Sequence, residues 1–384
     1  MKKLAIITTH PIQYYAPVFK LLHSRGTINV KVFYTIGHEG TTLYDPGFGK
    51  KITWDIPLLD GYPYIFVKNT SGNPGSHHYN GIANPSLMAD IESWGANIVL
   101  IFGWAYKSHL KAMRYFKGRI PVLFRGDSTL IDQVRPLKKM LRQLLLTWVY
   151  RHIDFALYPG KNTLAYFKKY GVKKLVYAPH AVDNERFSIA HTKKSAHLRL
   201  NLNIPETATL ILYAGKFDYK KDPQLLLQSF KEACVPNTHL LFVGDGMLEI
   251  ALKNEAASAG NVHFMPFQNQ TEMPAVYQAA DLFCLPSRGP NETWGLAVNE
   301  AMACGKAILV SSKVGCAPDL VKDGFNGATF QAGDKNDLIK KLTLLTASKD
   351  TLKQYGRNSF NLIQRFNFTN IVTAIEETVS NFGV

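Results

Sequence analysis

The chain has 384 residues, of which 46% are hydrophobic and 19% are charged, a composition typical of a folded globular protein with room for two domains of ordinary size. Its apolar runs are too short to span a membrane, and the one near the amino terminus predicts a first buried strand rather than a signal peptide. The four cysteines show no C-x-x-C spacing, which favours reduced thiols over metal sites or a disulfide framework.

Positive charge is concentrated in the first half of the chain. The net formal charge is +15, and residues 1–184 carry 24 Lys and Arg against 10 Asp and Glu, a net charge of +14. A field of this sign attracts phospholipid headgroups, a diphosphate-linked acceptor or nucleic acid. No recognised RNA- or DNA-binding motif accompanies the charge, so we expect no nucleic-acid partner.

Short apolar segments alternate with helical patterns along both halves of the chain. The strands predicted in the first half are Leu4–Thr8, Val30–Tyr34, Ile98–Phe102, Pro121–Phe124, Phe155–Tyr158 and Leu175–Ala178. Those predicted in the second half are Leu210–Ala214, Leu240–Val243, Val262–Phe264, Leu282–Leu285, Ala307–Val310 and Ala328–Phe330. The alternation predicts an α/β protein with two parallel sheets, helices on both faces of each, and ligands at the carboxyl ends of the strands.

Four polar residues follow predicted strands in the first half. His10 and Gln13 lie in the turn after the first strand, and Arg125 and Asp127 follow the strand that ends at Phe124. We take all four as candidate contacts to an acceptor or a sugar. A hydrogen-bonded loop histidine is an equal alternative for His10, and capping of the next helix is an equal alternative for Asp127.

The segment from Arg135 to Arg151 is basic and amphipathic. Its apolar residues recur at helical spacing, at Leu137, Met140, Leu141, Leu144, Leu145, Trp148 and Val149. Its cations lie mostly off that stripe, at Arg135, Lys138, Lys139, Arg142 and Arg151. Two interpretations have equal weight: the stripe packs into the core, or the helix lies on an anionic membrane surface.

The most informative segment contains Glu292 and Glu300, with seven residues between them. The stretch "DLFCLPS" predicts a buried strand, and "GLAVNEAMACG" predicts a helix that opens at Gly295 and Leu296. The free N–H groups of such a terminus can hold a phosphate, and glycine lets a ligand approach the backbone. For the two acidic residues taken alone, the favoured interpretation is that Glu292 is a partner of the helix dipole and Glu300 is a solvated helix residue.

The stretch "ETWGLAVNEAMACG" resembles the E-x7-E signature of the retaining glycosyltransferases of family 4. Further stretches resemble landmarks of that family in the expected order, namely "YAPHAVDNERF", "YAGKFDYKKDP", "LLFVGDGML" and "DLVKDGFNGATF". Each stretch is weak alone, but the set is specific and covers residues 175–335. The resemblance implies the GT-B fold, in which two Rossmann-like doubly wound parallel-sheet domains face a central cleft.

The same resemblance divides the chain. Residues 1–184 would form an acceptor-binding domain, and residues 204–368 would form the nucleotide-sugar-binding domain. The polar stretch at 185–203 is the expected linker, and residues 369–384 are expected to form a helix that crosses back to the first domain.

Roles for the site residues also follow from the resemblance. Lys216 and Lys221 take the arginine and lysine positions of the family's G-R-x-x-x-x-K segment. There, fixed cations would stabilise the charge on a diphosphate leaving group. Glu292 would bind the sugar hydroxyls and act with the two lysines in catalysis, and Glu300 would bind the ribose hydroxyls. The other donor-binding residues would be Gly244, Gly246, Gly295 and Leu296.

The resemblance therefore implies a retaining glycosyltransferase of the hexosyltransferase type. It would move a sugar from a nucleotide-diphosphate sugar to a glycan or lipid-linked acceptor in cell-surface polysaccharide or glycolipid assembly. The chain has no D-x-D pair, so we expect neither a metal site nor a cofactor. We expect a cytoplasmic protein, peripheral on the inner face of the membrane. The alternatives are a nucleotide-sugar epimerase or a pyridoxal-phosphate phosphorylase of similar fold, and a nucleotide-sugar-binding protein without activity.

Overall fold

The computed structural model describes residues 1–37, 43–45, 50–132 and 136–382, with backbone alone at 43–45, 50 and 136–138. The chain divides into two compact units. The first comprises Met1–Leu43, Pro57–His180 and Phe368–Val384, and the second comprises Tyr44–Ile56 and Ala181–Asn367.

The first unit is built around one parallel sheet. Its described elements, in chain order, are β1 (Lys3–Thr8), α1 (Ala16–Ser24), β2 (Asn29–Tyr34), β5 (Tyr64–Phe66), α2 (Leu87–Trp94), β6 (Ile98–Phe102), α3 (Lys107–Phe116), β7 (Val122–Arg125), α4 (Pro136–Tyr150), β8 (Phe155–Tyr158), α5 (Lys161–Lys169) and β9 (Leu175–Tyr177). Two short strands outside this sheet, β3 (Leu43–Asp45) and β4 (Lys50–Ile52), pair with each other, and β4 and most of β3 belong to the second unit. The seven-stranded sheet has the order β5-β2-β1-β6-β7-β8-β9, with parallel pairing throughout.

The second unit repeats this architecture. Its elements are α6 (Asn184–Ser188), α7 (Thr192–Asn201), β10 (Thr209–Ala214), α8 (Pro223–Ala233), β11 (Thr238–Val243), α9 (Glu249–Ala256), β12 (Val262–Met265), α10 (Met273–Ala279), β13 (Leu282–Leu285), α11 (Leu296–Ala303), β14 (Ala307–Ser311), α12 (Ala317–Leu320), β15 (Gly327–Phe330), α13 (Lys335–Thr346) and α14 (Lys349–Ile363). Its six-stranded parallel sheet has the order β12-β11-β10-β13-β14-β15.

Both sheets are covered on both faces, which explains why their central strands are continuous apolar runs. Every residue of β6 and of β10 is buried. The predicted pair of doubly wound parallel sheets is therefore confirmed, and each predicted strand is present within one or two residues of its expected ends. The edge strand β5 was not predicted, because it has only three half-buried residues and thus no period to detect.

The stretch 185–203, predicted as a linker, belongs to the second compact unit. This stretch contributes α6 and α7, which pack against α10 and α11 of the second unit. Asp183 caps α6 by accepting a hydrogen bond from the N–H of Arg186 at 3.0 Å. Ser195 of α7 is buried and donates to the carbonyl of Ala275 at 2.9 Å. The stretch resembled a linker because most side chains of α7 face solvent.

The helix predicted at 369–384 corresponds to α15 (Phe368–Ser380), which belongs to the first unit and packs against α1. Arg25, just after α1, forms an ion pair with Glu376 at 2.7 Å and donates to the hydroxyl of Thr373 at 3.2 Å. The ammonium group of Lys2 donates to the carbonyl of Val379 at 2.8 Å. These contacts hold the carboxyl-terminal helix on the first unit.

Candidate active site in the second unit

Two loops that follow neighbouring strands, β10 and β11, pack backbone to backbone at the carboxyl edge of the second sheet. The N–H of Phe217 donates to the carbonyl of Asp245 at 2.9 Å. A Cβ on Gly244 would lie 2.0 Å from the carbonyl oxygen of Gly215, and one on Gly246 would lie 2.6 Å from that of Phe217. Both glycines also have positive φ. The two predicted donor-binding glycines are thus required by the packing of the loop itself.

A buried ion pair joins the β10 loop to the loop after β13. The Nζ of Lys221 lies 2.6 Å from the Oε2 of Glu292, and the two side chains are 18% and 6% exposed. The hydroxyl of Ser287, which is fully buried, donates to the same carboxylate oxygen at 3.0 Å. The structure therefore brings together two predicted site residues that are 71 positions apart in the chain.

Glu292 is held in its charged form. Burial alone would raise the pKa of this carboxyl group, but Lys221 and Lys220, with hydrogen bonds from Lys221 and Ser287, hold the pKa below its ordinary value of 4.5. Because the folded pKa lies below the unfolded one, the stabilising contribution is present above about pH 4.5. It is lost as the pH falls through the folded value.

The lysine-bearing loop after β10 is fixed by its own short hydrogen bonds. The carboxylate of Asp218 accepts from the N–H of Lys221 at 2.8 Å, and the carbonyl of Lys216 accepts from the hydroxyl of Tyr213 at 2.6 Å. Lys216 and Lys220 are half-buried in the same loop. Burial lowers the pKa of Lys220, an effect opposed by the charge of Glu292. Sequence reasoning missed Lys220, because nothing in the pair of adjacent lysines shows that both face the carboxylate.

The predicted helix after Glu292 is α11, and Gly295 is its N-cap. Gly295 has a φ of 98° and, lacking a side chain, does not itself cap the helix. A Cβ at this position would lie 3.0 Å from Val314 and 3.1 Å from Leu285, so the site favours glycine on two grounds. The N–H groups of the first turn, which starts at Leu296, and the positive end of the helix dipole together form a feature that binds anions in many proteins.

Glu300 lies on the buried side of the same helix. The residue is 4% exposed, and its Oε2 accepts a hydrogen bond from the hydroxyl of Tyr277 at 2.8 Å. The interpretation of Glu300 as a solvated helix residue is therefore wrong. Tyr277, itself 1% exposed, was not predicted because it comes from α10 and no local pattern links it to the motif.

The arrangement of the second unit combines acceptors and cations within a short stretch of sheet edge. Lys216, Lys220 and Lys221 supply positive charge, and Glu292 and Glu300 supply buried acceptor oxygens. Within the described ranges, no three His, Cys, Asp or Glu side chains are placed to hold a metal ion together. Chemically, such an edge suits a ligand that carries both phosphate oxygens and hydroxyl groups.

Polar residues at the carboxyl edge of the first sheet

Arg125, at the end of β7, is buried beneath its own loop. It is 2% exposed, and its two terminal nitrogens donate to the carbonyls of Ala178 and Pro179 at 2.9 and 3.0 Å. The ring of Tyr15 lies against the guanidinium group, 5.9 Å from centroid to carbon. Through these hydrogen bonds, Arg125 holds the backbone after β9 in place. A ligand would reach it only if these residues moved aside.

Asp127 lies two residues further on and is half-exposed. Its Oδ2 lies 4.0 Å from the Nε2 of His180. Burial and the nearby Arg125 hold the pKa of His180 well below its ordinary value, so the imidazole is neutral at pH 7. The described helix that follows, α4, begins at Pro136, and so Asp127 does not cap it.

His10 and Gln13 occupy the turn after β1, and both are half-buried. The Nδ1 of His10 lies 3.0 Å from the hydroxyl of Thr9, and burial lowers the pKa of the imidazole. His10 is therefore a neutral hydrogen-bonding group at the carboxyl end of its strand. The turn that carries it also supplies Tyr15, which covers Arg125.

The amphipathic segment is α4, and the structure separates its two faces. Leu146, Val149 and Tyr150 are buried at 4% exposure or less. Four apolar residues of the predicted stripe are between 49% and 66% exposed, namely Met140, Leu141, Leu144 and Leu145. The interpretation of the whole stripe as core is therefore wrong. Arg135 lies outside the described residues, as do the side chains of Leu137 and Lys138. Across the described ranges, no helix combines the length and hydropathy needed to cross a membrane.

Similarity to known proteins

Residues 195–362 match the model of the family described as Glycosyl transferases group 1. That stretch contains all of the lysines and glutamates of the site described above. The family resemblance inferred from the motifs is confirmed.

Curated relatives are similar to part of the chain. The sulfoquinovosyl transferase of Arabidopsis thaliana is 26% identical over 249 residues, which are 63% of this chain and 46% of that protein. The lipopolysaccharide 1,2-N-acetylglucosaminetransferase of Salmonella typhimurium is 30% identical over 199 residues, which are 48% of this chain and 52% of that protein. The chain thus spans about half the length of these curated relatives.

Among solved structures, Anabaena HepE in complex with UDP aligns with a TM-score of 0.75 and 18% identity, covering 100% of both chains. A likeness at this level of identity shows the fold. The predicted GT-B fold is therefore confirmed over the length of the chain.

Proposed function

We propose that the protein is a retaining glycosyltransferase that takes its sugar from a nucleotide-diphosphate sugar and needs no metal ion. Its acceptor would be a glycan or a lipid-linked glycan in cell-surface polysaccharide or glycolipid assembly. The observation that carries the proposal is the buried pair of Lys221 and Glu292 beside the amino terminus of α11 at Gly295. It places fixed charge of both signs at one end of a parallel sheet.

The donor would be recognised through its phosphates and hydroxyls. The diphosphate would be bound by Lys216, Lys220, Lys221 and the first turn of α11, since charge-assisted hydrogen bonds to phosphate are stronger than those between neutral groups. Glu300, oriented by Tyr277, would accept from the ribose hydroxyls. HepE, which has the same fold, has been crystallised with UDP and with UDP-glucose. That supports a nucleotide sugar as the donor here.

The chemical step would depend on charge stabilisation. Cleavage of the sugar–phosphate bond puts negative charge on the departing diphosphate, and lysines fixed by the protein stabilise it without reorganising. This is the basis for proposing metal independence. Glu292 is already engaged through Oε2 with Lys221 and Ser287, which suits a carboxylate that binds sugar hydroxyls better than a free nucleophile of the glycosidase type.

The acceptor would be met by the first unit, at the cytoplasmic face of a membrane. His10, Gln13 and Asp127 would contact it, and Arg125 would hold the loops in place. The exposed apolar face of α4 would enter the headgroup region of an anionic bilayer, helped by the net charge of +14 up to residue 184.

Loss of one cation tests the catalytic proposal. Lys221→Ala should lower turnover by about two to three orders of magnitude, since a fixed charge at the leaving diphosphate is removed. Release of nucleoside diphosphate is measured with a panel of nucleotide sugars and a lipid-linked glycan acceptor. The matched control is Lys253→Ala, which removes an exposed lysine paired with Glu249 on α9.

Near-normal turnover by a folded Lys221→Ala variant would contradict the proposal. Loss of activity in EDTA with recovery in Mg²⁺ or Mn²⁺ would contradict metal independence. Interconversion of nucleotide sugars without any acceptor would favour the epimerase alternative instead.

The ribose role of Glu300 is tested by nucleotide affinity. Glu300→Gln should weaken binding of UDP by roughly 1–3 kcal/mol, because a charged acceptor is lost. Tyr277→Phe should weaken it by roughly 0.5–1.5 kcal/mol, because the carboxylate keeps its charge but loses one orienting hydrogen bond. Titration calorimetry measures both. Tyr355→Phe on α14 is the control and should leave UDP affinity unchanged, whereas unchanged affinity in Glu300→Gln would reject the assignment.

Membrane docking is tested by sedimentation with vesicles that contain anionic phospholipid. Leu141→Ser with Leu144→Ser should abolish co-sedimentation, because the inserted apolar surface is lost. Lys139→Ser with Arg142→Ser should weaken it and reduce its dependence on salt, since each cation near the surface contributes about 1 kcal/mol.

The matched control is Ile250→Ser with Leu344→Ser, two apolar residues of the second unit that are 76% and 67% exposed. This variant should sediment like the parent protein. Absence of vesicle binding by the parent at low salt, or equal binding by the α4 variants, would remove membrane docking from the proposal.

A further inference from the structure

A separate pocket lies at the amino edge of the second sheet, opposite the edge that carries Lys221 and Glu292. Its volume is about 780 Å³. The residues that line it precede strands, whereas those of the candidate active site follow them. Pro205 and Glu206 come before β10, Ala279 before β13, and Lys306 before β14. Helix α11 reaches this pocket with its last turn, at the end away from Gly295.

The walls of the pocket are largely apolar. They are formed by α7, by the turn that follows it, and by the ends of α10 and α11, with one residue from α14. Two of the apolar lining residues remain open to solvent in a folded protein: Leu200 is 71% exposed and Phe360 is 37% exposed. Ile204, by contrast, is buried. The pocket thus offers an apolar surface large enough for a ring system or a short alkyl chain.

Two cations line the same pocket. One terminal nitrogen of Arg199 on α7 donates to the carbonyl of Ala208 at 2.6 Å and lies 3.5 Å from Asp281. The buried Nε of Arg199 has no hydrogen-bond acceptor among the described residues. Lys306 donates to the carbonyl of Gln278 at 3.0 Å. Burial lowers its pKa, an effect that a bound anion would oppose.

Negative charge around these cations is scarce. Lys349 also approaches the carboxylate of Asp281, at 3.8 Å, and that carboxylate already accepts from the N–H of Leu210 at 2.8 Å. Glu206 lines the pocket from an exposed position at its rim. Two cations, Arg199 and Lys349, therefore share the carboxylate of Asp281, while the charged residues that line the pocket are Arg199, Lys306 and Glu206, an excess of one positive charge.

We propose that this pocket binds a small organic anion, with its apolar body between α7 and Phe360 and its acidic head group on Arg199 and Lys306. The head group is a carboxylate, sulfonate or phosphate, for which the guanidinium of Arg199 is a charged hydrogen-bond donor. Such a site is distinct from the donor site, because it lies at the other end of α11. The proposal of an anion site in this pocket does not depend on the proposed transfer activity.

The test uses two fluorescent probes with nearly the same apolar body. One is 1-anilinonaphthalene-8-sulfonate, an anion, and the other is N-phenyl-1-naphthylamine, which lacks the sulfonate. The protein carries Leu141→Ser and Leu144→Ser in all samples, so that the exposed face of α4 does not bind either probe. The anion should show one saturable site and bind at least ten times more tightly than the neutral probe.

Two variants locate the site. Arg199→Gln removes the head-group contact and should weaken binding of the anionic probe at least tenfold. Ala196→Trp, at an exposed position on the pocket wall, fills the cavity and should abolish binding of both probes without disturbing the fold. With this second variant, the proposal remains testable if Arg199→Gln is unstable. Lys194→Gln, which removes a solvent-exposed cation from the same helix, is the matched control and should bind like the parent.

Equal affinity of the parent for the two probes would overturn the anionic head-group site. Unchanged binding of the anion by a folded Ala196→Trp variant would show that the probe binds elsewhere and would overturn the proposal as a whole.

Discussion

A carboxylate that is almost fully buried needs a cation and hydrogen-bond donors around it, and in this chain that requirement falls on Glu292. Lys221 supplies the cation at 2.6 Å, Ser287 supplies a hydroxyl, and Lys220 adds a second positive charge. Breaking such a pair by removing one partner is costly, because the remaining charge stays buried and unpaired. The loops after β10 and β13 are therefore fixed relative to each other by electrostatics as well as by packing, and the chemistry of the candidate site depends on that fixation.

Close packing of the backbone determines which other residues surround the pair. Gly244 and Gly246 allow the β11 loop to lie directly on the β10 loop, and Gly295 allows α11 to begin against Leu285 and Val314. A side chain at any of these positions would push the loops apart and move the lysines away from Glu292. The glycines that sequence reasoning assigned to ligand contact thus serve first to bring fixed charges together, and a ligand would meet them as part of a preorganised surface.

The sequence was sufficient to predict the two parallel sheets, because strands covered on both faces are uninterrupted apolar runs. It also located the helix at Gly295 and the two glutamates. It did not reveal Tyr277, whose contact with Glu300 joins two different helices, nor the helical nature of 185–203, where exposed polar side chains imitate a linker. The exposed face of α4 could not be predicted either, because core packing and bilayer docking demand the same helical period. Contacts between distant segments and the exposure of a face are decided by the fold, which local patterns do not record.

A double-mutant cycle on Lys221 and Glu292 measures directly whether the two side chains stabilise each other. Unfolding free energies are measured at neutral pH for the parent, Lys221→Ala, Glu292→Gln and the double variant. The two substitutions should be strongly non-additive, with a favourable coupling of roughly 1–3 kcal/mol, because the residues form one desolvated pair. Additive effects, with a coupling near zero, would show that Glu292 is stabilised independently of Lys221 and would contradict the pair on which the proposed chemistry depends.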